Sequence, residues 1–286
     1  MKREITVEFQ IDEVKAIDIS RRLLDQFCQQ KGFFKEYSMP EYILPSNLEK
    51  GSREHALYLT YVISIDYMTN AEKLWRNARD NFTMYPDRFL PESILQISDR
   101  TLRAFLRGLG ARFSTTAVST WKSISRLLID LYDSDPRKIT TSQSTINEIK
   151  QKLDAFPYLR GSKLSNFYIR VMGETELFQI SNLGDLDIPV DIQVARFTIY
   201  TGVLQLVSER YEGCVHEPPL RNLIEDAWKT AAQKVDSHAW KLDEPIWTIG
   251  SKLCTKRNCH ICPVTDLCDK VKGVQFRDGI AIWKSI

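Results

Sequence analysis

The sequence lacks any apolar run approaching the roughly eighteen residues that a membrane-spanning helix needs, so nothing in it reads as a span. Its opening stretch, Met1 to Phe9, carries Lys2, Arg3, Glu4 and Glu8 and has no apolar core of the kind found in secretory signals. Charge of one sign is missing too: 39 Lys and Arg against 37 Asp and Glu leave a net +2. No global field therefore announces a nucleic-acid partner, and any such surface must be a local basic patch. Internal repeats and low-complexity tracts are absent. What remains is a chain of 286 residues, 43% hydrophobic, long enough to bury a large core in one large domain or two smaller ones. Its expected compartment is reducing: the cytoplasm, in association with the nucleoid, or the nucleus, not the secreted space.

Against these absences stands one dense feature. Four of the six cysteines, Cys254, Cys259, Cys262 and Cys268, follow one another with spacing C-x4-C-x2-C-x5-C. Thiolates this close repel one another unless a metal or cluster takes up their charge. A zinc ribbon offers two C-x2-C knuckles separated by a longer loop, and bacterial ferredoxins run C-x2-C-x2-C; neither order is present. One short loop with unequal gaps suits a [4Fe–4S] cube, whose four irons each take one sulfur. A four-cysteine zinc site is the alternative on ligand chemistry, and a disulfide cage is less consistent with a large chain that has no secretory signal.

Along the chain the pattern is mostly helical. Glu4 to Gln10 alternates as a short strand, and Ile11 to Phe34 follows as a helix with Val14, Ile17, Ile19, Leu23, Leu24 and Phe27 on its apolar face. Cys28 in that helix reads as a small buried hydrophobe. Tyr37 to Gly51, with Pro40 and Pro45, reads as a connector. Helices are then expected over 52–79 with a break near Asp66 to Thr69, over 100–109 and over 115–132, with Gly108 and Gly110 marking the last gap. Thr145 and Glu148 form a capping-box signature that opens a helix through Ala155, and another helix runs from Ser162 to Met172. Further helices are expected from Asp191 to about Leu206, over 219–235 and over 240–251.

Two helices joined by a short glycine-bearing turn, Phe156 to Lys163, make a helix-hairpin-helix. The start of the second helix can grip a phosphate through its free backbone N–H groups without reading a base. Taken singly, Lys163 is a solvated lysine and Asp191 an ordinary helix cap. Together the motifs resemble the endonuclease III branch of the helix-hairpin-helix DNA glycosylases. That branch reads L-P-G-V-G-x-K at the hairpin, V-D-x-H-V-x-R at the next helix and C-x6-C-x2-C-x5-C in the cluster loop. Here the corresponding stretches are Phe156-Pro-Tyr-Leu-Arg-Gly-Ser-Lys163, Val190-Asp-Ile-Gln-Val-Ala-Arg196 and the cysteine loop, with Gly250 preceding the first cysteine and Asp266-Leu267-Cys268 closing it. Gln193 replaces a histidine, Leu159 and Arg160 replace G-V, and the first cysteine gap is shorter. The Lys163-to-Asp191 spacing is longer than in endonuclease III and resembles that of archaeal 8-oxoguanine glycosylases. Where the family often has a glutamine that fills the space left by a flipped base, this chain has Ser64-Ile65-Asp66-Tyr67.

The resemblance implies an all-α, two-domain helix-hairpin-helix DNA glycosylase fold with a C-terminal iron–sulfur cluster loop. It would place a helical barrel over 52–182, and pack residues 1–51 with a cluster domain over 183–286. The implied function is base-excision repair: removal of a damaged or mispaired base from double-stranded DNA, with a Schiff-base β-elimination (AP lyase) step, by a chain acting as a monomer. Lys163 would be the Schiff-base nucleophile and Asp191 the carboxylate that stabilises positive charge on the sugar. Arg160, Gly161 and Ser162 at the hairpin, and Lys252, Lys256 and Arg257 beside the cysteines, would contact DNA. Cys254, Cys259, Cys262 and Cys268 would hold the [4Fe–4S] cluster. The alternatives are a monofunctional glycosylase in which Asp191 activates water, and a non-catalytic DNA-binding protein of the same fold. Tyr67, Trp75, Tyr158, Phe167 and Tyr168 are aromatic faces available for a base pocket, although core packing accounts for most of them.

Overall fold

The computed structural model describes residues 8–35 and 37–284. By internal contacts the chain divides into two compact units, one formed by Met1–Tyr37 with Gly184–Ile286 and the other by Ser38–Leu183. The divisions expected from the sequence fall at 51/52 and 182/183. Residues 38–51 go with the helical unit because Glu41 and Tyr42 bond its buried Arg170, at 2.7 and 3.0 Å. Among the described residues no helix is long and apolar enough to cross a membrane.

The chain enters the first unit through strand β1 (Phe9–Ile11) and helix α1 (Glu13–Cys28). The Asp12 side chain accepts the Lys15 amide at 3.0 Å and so starts the helix. Residues 4–7 of the expected strand lie outside the described residues. The helix ends well before Phe34, and its core face is Ala16, Ile19 and Leu23. Val14 lies off that stripe and is 70% exposed. Cys28 is exposed as well, contrary to expectation, because it is the last helical residue and sits beyond the buried stripe.

The second unit is built on α2 (Arg53–Ile63), whose residues from His55 to Ile63 are all buried. A helix with no exposed face over most of its length must be central. Around it come α3 (Ala71–Met84), α4 (Pro91–Gln96), α5 (Asp99–Leu109) and α6 (Ser114–Tyr132). Ser52, Asn70 and Ser98 cap α2, α3 and α5 through their side chains, which is why the sequence marks those starts clearly. Of the two glycines expected between α5 and α6, Gly110 alone takes a left-handed angle and stops the helix; Gly108 stays inside it. Aromatic edges fill the interior, with Tyr58 against Trp75, Phe82 and Phe89, and Trp121 against Tyr61. Two polar tips are satisfied, Trp121 donating to the Tyr61 carbonyl at 3.1 Å and the Tyr61 hydroxyl meeting Ser125 at 2.7 Å, while the Tyr58 hydroxyl is buried without a hydrogen-bond partner among the described residues. The unit closes with α7 (Ile146–Leu153), opened by the expected Thr145–Glu148 capping box, and α8 (Ser162–Glu174). Thr60 of α2 meets Tyr168 of α8 at 2.8 Å, which pins the second hairpin helix to the central one.

The first unit resumes with α9 (Ile192–Thr201). The helix expected to reach Leu206 stops at Thr201 because Gly202 turns left-handed. The chain then forms β2 (Leu204–Leu206), which pairs antiparallel with β1, Phe9 opposite Leu206. Next come β3 (Arg210–Cys214), α10 (Leu220–Gln233) and α11 (Asp243–Lys252), and the chain ends in β4 (Val274–Arg277) and β5 (Ile280–Lys284). The last three strands make an antiparallel sheet in the order β3-β5-β4. These small sheets border a helical core in which Trp228 of α10 is fully buried and donates to Thr198 of α9 at 2.9 Å. The fold is thus predominantly helical, as the sequence implies, with short strands where the two ends of the chain meet the unit.

Candidate active site and cysteine loop

In the second unit, α7 and α8 form the hairpin. Phe156 and Leu159 are completely buried and anchor its turn from below. The half-buried Tyr158 between them and the exposed Gly161 after them take unusual angles: Tyr158 has φ +63°, and Gly161 has φ +87° with ψ +148°. That second combination is open to glycine and strained for any residue with a Cβ. Steric crowding is not the reason, since a Cβ at Gly161 would meet no atom within 4 Å. Gly161 therefore serves α8 through its backbone angle and supplies no side-chain cap. The first-turn amides of an uncapped helix have no intrahelical acceptors and suit an anion. Arg160 and Gly161 are exposed at this end, and Ser162 and Lys163 are half-buried. Lys163 thus sits in the first turn of α8, and Asn166, one turn on, is buried with its Oδ1 lacking a hydrogen-bond partner among the described residues.

The available aromatic faces sort themselves. Trp75 and Tyr168 are core. Phe167 is half-buried with the Arg170 guanidinium 5.3 Å from its ring centre. Tyr67 and Tyr158, with rings 6.0 Å apart, line a pocket together with Phe113 and Arg112.

In the first unit, Asp191 caps α9. Its Oδ1 accepts the Gln193 amide at 2.7 Å and the Val194 amide at 2.9 Å. Its Oδ2 accepts the Trp247 indole N–H of α11 at 3.0 Å. Three donors hold one half-buried carboxylate, so its orientation is set by the fold. Gln193, which stands in the place of the family's histidine, accepts from Arg196. Trp247 escaped the sequence reading because no motif spacing links it to Asp191; only the packing of α11 on α9 does.

Helix α11 runs directly into the cysteine loop, where Cys254, Cys259, Cys262 and Cys268 line one pocket with Phe197, Tyr200 and Val264. Burial pushes the Cys254 thiol up to about 12, helped by the other three cysteines and opposed by Arg196. Cys262 is pushed up to about 11 by burial and its cysteine neighbours, and Cys268 is raised chiefly by burial. Thiols so placed lose their protons only to a centre that supplies positive charge, which is what an iron–sulfur or metal centre does. The donor set fits such a group. Among the described residues no three His, Cys, Asp or Glu side chains are already drawn together as a metal site, so the match lies in sulfur chemistry and shared lining. The Tyr200 carbonyl accepts from Cys268 Sγ at 3.3 Å, and the Lys270 amide donates to that sulfur at 3.4 Å.

The flanking cations are not equivalent. Lys256 is exposed, and Lys252 is half-buried with its ammonium disfavoured by burial first and by Lys256 second. Arg257 takes a left-handed angle, φ +55°, and lays its guanidinium over the Tyr200 ring at 3.8 Å, within the lining of the cysteine pocket. The four cysteines and Arg257 are therefore brought together in the first unit with Asp191, while Lys163 and the hairpin residues belong to the second.

The family model described as AGOG, N-glycosylase/DNA lyase, matches residues 36–273. Among solved structures, a thermostable thymine-DNA glycosylase has a TM-score of 0.55 at 14% identity, covering 90% of this chain and 96% of that one. Endonuclease III, trapped in a covalent intermediate with DNA as an estranged-adenine complex, has a TM-score of 0.56 at 16% identity, over 89% of this chain and 96% of that one. No curated protein matches the sequence. At these identities the two structures speak for the fold, and the family model speaks for the lineage. The model spans well over half of the chain, which therefore belongs to the AGOG N-glycosylase/DNA lyase family of helix-hairpin-helix base-excision enzymes.

Proposed function

We propose that the chain is a bifunctional glycosylase and lyase acting on double-stranded DNA that carries a damaged or mispaired base. The nucleotide leaves the stack before its base can be cut out. The Lys163 amine attacks C1′ of the deoxyribose, the bond from C1′ to the base nitrogen breaks, and the base leaves with that electron pair and takes up a proton. Loss of a proton from the Lys163 nitrogen and opening of the sugar ring give an imine. Removal of a proton from C2′ then expels the 3′ phosphate, and water hydrolyses the imine to restore the lysine. Positive charge gathers on the sugar as the base departs, and Asp191 stabilises it.

The observation that carries this reading is the held carboxylate. Oδ1 of Asp191 is taken up by two amides of its own helix, and Oδ2 by one indole N–H, which leaves Oδ2 a lone-pair direction for the substrate. An ordinary helix cap needs only the first two bonds.

Arg160, Gly161 and Ser162 at the start of α8 grip a phosphate, and Lys252 and Lys256 add to the electrostatic attraction. Arg257 keeps its ring contact and offers its in-plane N–H groups outward. Cys254, Cys259, Cys262 and Cys268 bind a [4Fe–4S] cluster, which when bound supplies iron–sulfur bonds that cross-link the loop. Supporting this are the four sulfurs lining one pocket and the positive charge they require.

The test is base release from a panel of duplexes, each with one oxidised, deaminated, alkylated or mismatched base, by the wild type and by Asp191→Asn. The substitution should slow release by roughly 10²–10³-fold, as loss of a transition-state stabiliser does, and leave duplex affinity unchanged. Base release at the wild-type rate by Asp191→Asn would refute the assignment. Binding without release by the wild type across the panel would favour a non-catalytic DNA-binding role.

A further inference from the structure

Asp191 and Trp247 are joined by a bond that helix capping does not require. Oδ1 is spent on α9, where it satisfies two first-turn amides. The carboxylate could still tilt about this attachment. The Trp247 N–H, 3.0 Å from Oδ2, removes that freedom from the side of α11. An indole N–H only donates, so it takes no proton from the carboxylate and competes with no base; its effect is orientation.

The backbone shows that the contact is built in. A Cβ added at Gly250 would lie 2.3 Å from the Gln193 carbonyl oxygen, so α11 and the first turn of α9 meet at backbone distance. Only glycine allows that approach. Ile246 and Ile249 are fully buried on the same helix and keep it seated, while Trp247 itself is half-buried. The glycine that precedes the cysteine loop thus has a second consequence: it sets the distance at which Trp247 reaches Asp191.

We infer that Trp247 is a positioning residue for base excision, holding the Asp191 carboxylate so that Oδ2 presents a fixed edge to the positive charge that develops on the sugar. This rests on the reading of Asp191 as the catalytic carboxylate. The element that leads into the cysteine loop is, on this account, also the clamp on the acid. Removing the N–H leaves Oδ2 without a hydrogen-bond donor among the described residues, and the carboxylate samples orientations that miss the sugar.

The experiment uses the lesion duplex on which the wild type releases base fastest. Single-turnover release at saturating enzyme, duplex affinity and thermal midpoint are measured for the wild type, Trp247→Phe, Gly250→Ala, Asp191→Asn and Trp247→benzothienylalanine, which replaces the N–H with sulfur and keeps the ring shape. The benzothienylalanine chain should release base roughly 10–100-fold more slowly, the value of one hydrogen bond to a charged group, with affinity and thermal midpoint unchanged. Trp247→Phe and Gly250→Ala should move the rate in the same direction. If the benzothienylalanine chain works at the wild-type rate while Asp191→Asn is inactive, the positioning role is overturned and the reading of Asp191 stands. If Asp191→Asn itself releases base normally, the reading of Asp191 fails and takes this inference with it. A slower rate matched by an equal loss of affinity or of thermal midpoint marks a structural role and also overturns the proposal.

Discussion

Two helix starts in this molecule solve the same problem in opposite ways. Every helix begins with amides that have no intrahelical partner. At α9 the side chain of Asp191 takes two of them, and the helix start is closed. At α8 the residue in the corresponding place is Gly161, which has no side chain to give, and the start is left uncapped. On the function proposed above, the closed start fixes a carboxylate for chemistry and the open start keeps amides for a phosphate. Each residue is the wrong choice for the other's task. An aspartate at the hairpin would repel DNA, and a glycine at α9 would remove the acid.

Exchanging these arrangements breaks the comparison most sharply. Gly161→Asp offers α8 a cap and adds a negative charge at the proposed phosphate site. Gly161→Ala adds only backbone strain, about 1–3 kcal/mol at such an angle. Duplex affinity, measured by fluorescence anisotropy at fixed salt, should fall by about tenfold or more for Gly161→Asp beyond the loss for Gly161→Ala. Equal losses would mean that the open amides do not matter. A smaller effect is expected from Lys256→Ala: affinity should weaken uniformly over sequences, and the slope of log affinity against log salt should shrink by about 0.9, the value for one phosphate contact. An unchanged slope would leave Lys256 a solvated lysine.

The smallest effect belongs to Thr145, which begins the first hairpin helix with a full capping box. Thr145→Ala should cost about 1 kcal/mol in a denaturant titration and leave duplex affinity alone. A loss of affinity there would show that the closed start, too, takes part in DNA binding.

What the sequence made legible follows the range of the interactions. The starts of α2, α5 and α7 depend on a Ser or Thr within three residues of the amide it caps, so they can be read directly. The pairing of β1 with β2 cannot be read that way: it joins Phe9 to Leu206, and the helical pattern through Leu206 conceals the turn at Gly202. The sheet of β3, β5 and β4 went unmarked for the same reason, since Tyr211 faces Trp283 across the chain. Among the candidate site residues, the cysteines stand out in the sequence because their spacing is local, and Lys163 and Asp191 because family motifs frame them. Trp247 was not, because its partner Asp191 lies 56 residues away and nothing but helix packing joins them. Arg257 looked like a phosphate ligand by its charge, yet its position over Tyr200 is a tertiary fact.

The most direct test of the central claim is to reduce the enzyme–duplex mixture with borohydride and map the cross-linked peptide. The account predicts a covalent complex through Lys163, absent in Lys163→Gln and formed on the duplexes from which base is released. A complex through another residue would contradict it, and so would base release that leaves nothing to trap.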